Sequence, residues 1–384
     1  MSNLLVINAG STSVKYKLFT KSLDLKLFGH IENVKGEYIS KLYKDGQKFK
    51  WQISQNDFTH PHRLILKEIE GQEIASIGFR IVHGGEKYTK TTKLTNSVIS
   101  ELEELNELAP LHNPPALKVI KQFMEEMPQI PMYGIFDTAF HNTIKPEQFI
   151  YSLPYEIYSK HKIRKYGFHG ISHEYIFSQI KQVEKKHDRV ISCHLGGGAS
   201  ISAIKSGKSY DTSMGFTPLE GLTMATRAGD IDTGVIFYLA DKRHFEIKDI
   251  KELMNNNSGL LGISGITSDM RKLLELEKEG NERAHLAIEI YIYDIIRYIG
   301  MYISALNGLD VLAFSGGVGS GSDVLRDRIC ERLSNLNLSI SKRKNNGKID
   351  VEENLKISTR GSIPIWVIPT DEEKMIARKL LALD

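Results

Sequence analysis

Cysteine is nearly absent from this chain: Cys193 and Cys330 are the two in 384 residues. They lie far apart and form no CxxC, which excludes a disulfide framework and a cysteine-built zinc centre. Long apolar runs are missing as well. The N-terminal Leu4 to Ile7 is strand-sized. No stretch reaches the roughly eighteen apolar residues of a membrane span, and no basic region precedes an apolar core. The predicted location is cytoplasmic, with no membrane partner. Charge of one sign is also scarce: the net charge is +3, and basic runs such as Lys342 to Lys344 are short. So weak a field does not draw a protein to nucleic acid, which is not an expected partner. No GxxxxGK[ST] occurs, and GxGxxG fails at Ser322, so neither common nucleotide fingerprint applies.

What is present is a globular composition, 41% apolar and 25% charged, in a chain long enough for two or three domains. The first informative stretch is LLVINAGSTSVKYKLF, residues 4–19. An apolar strand runs into Asn8, Gly10, Ser11, Thr12 and Ser13, then Lys15, then a second strand. Asn, Gly and Ser suit a hairpin turn. Backbone N–H groups, hydroxyls and a lysine also suit a phosphate cradle. The spacing leaves both readings open. Nearly half a chain later RVISCHLGGGASISAIKSG, residues 189–207, repeats the strand, polar turn, strand theme, which resembles an internal duplication.

Between them the periodicity predicts a helix from Ser97 stopped by Pro110, and a second capped by Asn113 with Pro114 and Pro115 in its first turn. A buried strand ends at Asp137. Later a long helix spans about Asn281 to Asn307, followed by a strand and the glycine turn SGGVGSGS, residues 315–322. Strand, glycine turn, helix presents N–H groups to a phosphate. Thr370 is the predicted N-cap of the last helix, with Glu373 as its capping-box partner, leaving Glu372 free of capping duty.

Three further clusters carry chemistry. FRIVHGG, residues 79–85, places Arg80 in an apolar strand, where it either pairs with a core carboxylate or serves a ligand. YGFHGISH, residues 166–173, has His169 and His173 at metal-like spacing, but the flanking glycine weakens a helix there, and no acidic or cysteine cluster completes a zinc site. DTSMGFTPLEGLTMATRAGDID, residues 211–232, is too apolar for a plain loop and reads as a functional loop closing over a ligand.

Taken in order, NAGSTSVK, FRIVHGG, PLHNPP, FDTAFH, YGFHGISH, HLGGGAS, the 211–232 segment, GISGITSDMR, FSGGVG and IPTDEEKMIA resemble the acetate kinase family over essentially the whole chain. The resemblance implies an α/β fold of two duplicated ribonuclease H-like (actin-like ATPase) domains, with the active site in the cleft between them. Residues 1–145 with 371–384 would form the first, and 146–370 the second, nucleotide-binding one. Homodimers are the family habit. The implied reaction is reversible phosphoryl transfer from ATP to acetate, with ATP and ADP as co-substrates and Mg²⁺, or Mn²⁺, as cofactor. A carboxylic acid ionises near pH ~4.3, so the acceptor is already a nucleophile at neutral pH. No general base is needed; positioning and charge neutralisation are.

By resemblance, Arg80 and Arg227 hold the acceptor carboxylate and the moving phosphoryl group, and His169 hydrogen-bonds one of its oxygens. Asn8 and Glu372 anchor the metal, with Asp137 orienting metal or arginine. Ser11, Ser13 and Lys15 line the phosphate side. His194, Leu195, Gly196, Gly197 and Gly198, then Asp269, Met270 and Arg271, then Gly317, Val318 and Gly319 surround the nucleotide. Val82, Leu111, Phe168 and Pro218 form the pocket for the acceptor methyl. The chain departs from the family pattern at Gly197, where HLGNG is common, and at Ser320 and Gly321, where GIGEN is common. Butyrate kinases share such a glycine, so a propionate or butyrate kinase is a second reading, although residues 211–232 match the acetate type. An actin- or chaperone-like ATPase is a third, and calls for an extension that this sequence does not contain.

Overall fold

The structure is a computed structural model that describes residues 2–107, 109, 112–346 and 353–383. Leu111 of the implied acceptor pocket and the helix-stopping Pro110 lie outside the described residues. The chain divides into two compact units, Met1–Asn142 with Asp371–Asp384, and Thr143–Thr370.

Among the described residues the first unit holds β1 (Asn3–Ala9), β2 (Ser13–Phe19), β3 (Leu25–Val34), β4 (Glu37–Lys44), β5 (Gln47–Gln52), β6 (Ile74–Ile81), β7 (Thr92–Lys93) and β8 (Met132–Phe136). They form one sheet in the order β5-β4-β3-β2-β1-β6-β8-β7. The pattern of each strand explains its place. β1 is buried on both faces and sits centrally, between antiparallel β2 and parallel β6. β2 alternates, with Val14, Tyr16 and Leu18 buried and Lys15 and Lys17 on the opposite face. Lys35-Gly36 and Asp45-Gly46, all at positive φ, close the hairpins β3–β4 and β4–β5 with the twist that suits them. β6 and β8 are parallel, and their crossover carries the helix Asn113–Glu126.

The second unit holds β9 (Arg189–Leu195), β10 (Ala199–Lys205), β11 (Lys208–Thr212), β12 (Val311–Ser315), β13 (Leu355–Lys356) and β14 (Ile365–Val367), ordered β11-β10-β9-β12-β14-β13. The two sheets share one plan. Antiparallel strands, four in the first sheet and two in the second, lead to a central strand, two parallel strands follow, and an antiparallel edge strand closes each sheet. This is the ribonuclease H-like arrangement twice over. The strand–turn–strand repeat of the sequence is β1–β2 in one sheet and β9–β10 in the other.

Several local expectations change. Asn113 does not cap its helix. Its buried side chain instead bridges the backbone of His83, accepting from His83 N at 3.1 Å and donating to His83 O at 3.0 Å. Two buried peptide groups outcompete a cap that solvent can replace. The N-cap of the last helix, Glu372–Leu381, is Asp371 rather than Thr370: its side chain accepts from Lys374 N at 3.0 Å. Glu373 is thereby released from the capping box. The glycines of SGGVGSGS are themselves a helix, Gly316–Gly321, and not a turn preceding one. Buried Arg326 fixes them by donating to Gly319 O at 2.8 Å and Ser320 O at 2.7 Å.

The last helix packs on β1 and β6 through Ile376 and Leu380, which lie over Gly78. A Cβ on Gly78 would stand 2.7 Å from Ile376 Cγ2 and 3.0 Å from Leu380 Cδ1. Gly78→Ala should therefore cost about 1–3 kcal/mol by overpacking. Urea unfolding checks this, and an unchanged midpoint would mean that the helix shifts freely on the sheet.

Candidate active site

The first unit gathers polar side chains at the ends of β1, β6 and β8. β6 supplies Arg80, and Asp137 follows directly on β8, its N–H donating to Ile81 O at 3.0 Å. Arg80 Nη2 donates to Asp137 Oδ2 at 2.6 Å, and Nε lies 3.2 Å from both carboxylate oxygens. Its Nη1 reaches Glu372 Oε2 at 3.2 Å and Asn8 Oδ1 at 3.4 Å. Burial works to lower the Arg80 pKa, yet Asp137 and Glu372 prevail and hold it above the ordinary value. Asp137 is fully buried. Arg80 thus has the core carboxylate that one reading of the sequence required, and still touches Asn8 and Glu372.

A second cation lies beside this group. Lys17 Nζ contacts Asp371 Oδ1 at 2.8 Å and Glu373 Oε2 at 3.3 Å, and Asn8 Nδ2 donates to Glu373 Oε1 at 3.4 Å. Burial pushes the Glu373 carboxyl up, but Lys17 and Lys15 outweigh it and hold the group below its usual range. The cluster therefore sets Lys15, Lys17 and Arg80 against Asp137, Asp371, Glu372 and Glu373. Ser11 and Lys15 are exposed, Ser13 is half-buried, and the turn closes with Gly10 N donating to Ser13 O at 2.8 Å. It is a hairpin turn whose polar side chains stay accessible.

The second unit builds a different group. The helix Gly170–Val183 begins directly after His169, despite the glycine that weakened this expectation. His169 has left-handed φ of 55°, and its ring lies 4.4 Å from that of His194 at the end of β9. Arg227 Nη1 donates to Pro218 O at 3.2 Å and approaches Met224 Sδ at 3.7 Å. Among the described residues no carboxylate faces it, and burial alone lowers its pKa. A Cβ on Gly198 would lie 3.4 Å from His169 Nε2 and 3.6 Å from Arg227 Nη1. His169, His194, Gly198, Pro218 and Arg227 therefore converge.

The loop bearing Arg227 is anchored rather than hinged. Gly221 N donates to Asp230 Oδ1 at 2.8 Å, and Asp230 Oδ2 accepts from Tyr298 at 2.7 Å. Asp294 Oδ2 accepts from Thr223 Oγ1 at 2.7 Å, and Ala225 N donates to Gly197 O at 3.1 Å. Met214, Leu222 and Met224 are fully buried and serve the core, while Phe216 and Leu219 are half-buried. That burial accounts for part of its unusual composition.

The model of the acetokinase family matches residues 3–378. The chain belongs to the acetokinase family. A curated acetate kinase from Dictyoglomus thermophilum is 43% identical, covering 98% of each chain, and acetate kinase 2 of Clostridium perfringens is 42% identical over 99% of each. The crystal structure of Porphyromonas gingivalis acetate kinase matches with TM-score 0.91 and 39% identity over the whole of both chains. A propionate kinase from Francisella tularensis matches with TM-score 0.92 and 36% identity over 99% of each.

The other acetokinase motifs fall as follows. Gly316 and Gly319 approach Leu195, which joins the Gly317–Gly319 segment to the end of β9 and the Gly196–Gly198 turn. A Cβ on Gly197 would meet nothing within 4 Å, so this position has room for the asparagine of the family pattern. Asp269 caps the helix Met270–Lys278 and pairs with exposed Arg271 at 2.7 Å, while Met270 is buried. Phe168 is buried, Pro218 is half-buried, and Val82, in the first unit, is half-buried. The sequence reading does not single out Lys17 or the buried hydroxyls Ser192 and Ser200, and it assigns Glu373 to capping instead of to Lys17 and Asn8. Lys17 alternates with Lys15, which was a usable signal; the serines sit inside apolar strands and gave none.

His83, beside Arg80, is fully buried, and its Nδ1 accepts from Gly85 N at 3.0 Å. Burial lowers its pKa from 6.5 to about 4. Between those values the unfolded chain binds the extra proton, so this group makes stability fall as pH drops from 6.5 towards about 4. His83→Gln should flatten that part of the pH–stability curve, measured by urea unfolding. An unaltered slope would assign the loss to other groups.

Proposed function

We propose that this chain catalyses the reversible, direct in-line transfer of the γ-phosphoryl group of ATP to acetate, giving ADP and acetyl phosphate. One observation carries the reading. Arg227 is a half-buried guanidinium with main-chain and thioether contacts but, among the described residues, no carboxylate, set beside His169 at the Gly198 turn. Such a cation calls for an anion, and its planar fork suits a carboxylate or a phosphoryl group. Membership of the acetokinase family makes ATP and acetate the candidates.

In this reading Arg227 and His169 bind the transferring phosphoryl oxygens, and Arg80, kept in place by Asp137, orients the acceptor carboxylate. The Ser11, Ser13 and Lys15 turn and the His194–Gly198 turn receive phosphates. Asp269, Met270, Arg271 and Gly317 to Gly319 serve the rest of the nucleotide. Asn8 and Glu372 offer one amide and one carboxylate oxygen, hard donors that suit Mg²⁺ or Mn²⁺ with water completing the shell. Three cations against four carboxylates leave the cluster short of positive charge, which fits such an ion. When bound, it would neutralise phosphate charge.

The homodimer rests on an exposed apolar patch. No residue of the helix Gly234–Arg243 is buried, and Phe237 is 67% exposed beside Val235, Tyr238 and Ile247. A patch of this kind marks an interaction surface. Among the described residues no helix is long and apolar enough to cross a membrane.

Arg227→Leu should lower kcat roughly 10²- to 10³-fold, the usual effect of losing one aimed charge. A variant with native kcat and only a raised KM would show binding alone.

The likeness to a propionate kinase makes acyl preference the deciding measurement. Acetate should be preferred, with propionate disfavoured by no more than about 10- to 200-fold, the range one methylene decides in an apolar pocket. Val82→Ala should move kcat/KM towards propionate with ATP KM unchanged. Butyrate turned over as well as acetate by the native chain would overturn the acetate assignment. An unchanged preference in Val82→Ala would remove Val82 from the pocket.

A further inference from the structure

His169 is held from behind by a chain of buried groups to which no role has been given. His173, in the first turn of the helix Gly170–Val183, is fully buried between β9 and β10. Its Nδ1 lies 2.9 Å from Ser192 Oγ and its Nε2 2.7 Å from Ser200 Oγ. Ser200 Oγ in turn lies 3.0 Å from His169 Nδ1. The sheet makes this alignment possible, because β9 and β10 pair Ser192 with Ser202 and His194 with Ser200.

We propose that Ser192, His173 and Ser200 form a one-way hydrogen-bond relay that fixes the proton of His169 on Nε2. The direction follows from counting protons. Ser192 is fully buried, and its hydroxyl has His173 Nδ1 as its side-chain partner among the described residues. A buried hydroxyl proton without an acceptor is costly, so Ser192 donates. His173 Nδ1 then accepts, which places the proton of the neutral ring on Nε2. That N–H donates to Ser200 Oγ. The single Ser200 proton is left for His169 Nδ1, and His169 carries its own proton on Nε2. Run the other way, the chain ends in a Ser192 proton with no acceptor. A doubly protonated His173 strands the same proton and adds a buried charge.

The consequence is local. His169 Nε2 and Arg227 Nη1 flank Gly198 on its Cβ side, so a donor imidazole stands next to a donor guanidinium. A neutral His169 with Nε2–H gives a hydrogen bond to an anion's oxygen without a second charge beside the His194 ring, 4.4 Å away. Ser192, His173 and Ser200 are positioning residues: they touch no substrate and act through His169. The left-handed φ of 55° at His169 is rare for a residue with a side chain, and the relay gives it an anchor. The kinetic consequence rests on the proposed phosphoryl transfer; the tautomer does not.

The test is the ¹⁵N spectrum of the histidine-labelled native chain at neutral pH, with His169 assigned by comparison with His169→Gln. The expected result is a pyridine-type Nδ1 and a pyrrole-type Nε2. Ser192→Ala and Ser200→Ala should each bring the two nitrogens towards a common averaged shift, and Ser200→Thr, which keeps the hydroxyl, should restore their separation. In Ser200→Ala kcat should fall about tenfold with KM for acetate and ATP little changed, as loss of one neutral hydrogen bond predicts. A native His169 protonated on Nδ1, or on both nitrogens, overturns the proposal. So does an unaltered tautomer in both alanine variants. The native spectrum and Ser192→Ala decide the matter even where Ser200→Ala fails to fold. The expected tautomer in a chain that phosphorylates no carboxylate would sink the functional reading and leave the relay standing.

Discussion

A carboxylate buried at the end of a parallel strand has to be neutralised, and in this protein the pairing of Asp137 with half-buried Arg80 organises the first unit. Arg80 stands on β6, and the carboxylate that answers it, Asp137, comes from the residue following the neighbouring strand β8. The parallel register, with Ile81 opposite Phe136, brings the two to the same level of the sheet. β1 delivers Asn8 beside them, and the last helix adds Glu372. Removing the arginine of such a pair is costly, because the Asp137 charge stays buried. The arginine is thereby rigid, with one Nη1 still directed at the amide and carboxylate proposed to hold a metal ion.

The second unit resolves the same problem in the opposite sense. Half-buried Arg227 packs against Pro218 O and Met224 Sδ, and burial alone lowers its pKa. The loop sustains this because it is tied at several points, through Asp230 to Tyr298, through Thr223 to Asp294 and through Ala225 to Gly197. Glycines make the ties possible. A Cβ on Gly259 would lie 2.2 Å from Met224 O and 2.7 Å from Arg227 O, and one on Gly229 would lie 2.6 Å from Gly221 O. A fixed, uncompensated cation is preorganised for charge that arrives only with substrate.

The two sheets show how one strand–turn–strand plan supports different chemistry. At the end of β1, Asn8 meets Arg80 and Glu373. At the end of β9, His194 stacks on His169 and bonds Ser172 Oγ at 2.8 Å, which in turn bonds Thr370 Oγ1 at 2.8 Å. In each case a mostly apolar strand carries one polar residue, Asn8 or His194, next to its last position, so the sheet core and the polar edge are built by one short segment.

The sequence by itself determined most of the elements and picked out many of the polar residues that each unit gathers. Strand alternation in SVKYKLF, the prolines after Asn113 and the ordered motifs from NAGSTSVK to IPTDEEKMIA are local patterns, and local patterns survive without coordinates. Tertiary structure decided how each polar group is used. Asn113 serves the backbone of His83 instead of a helix cap, and Asp371 takes the cap, which frees Glu373 for Lys17 and Asn8. Ser192 and Ser200 looked like ordinary strand residues, yet packing turns both towards His173. The reason is physical. A buried polar group must find a partner, and which partner lies within 3 Å depends on strand register and helix packing, which residues distant in the chain settle together.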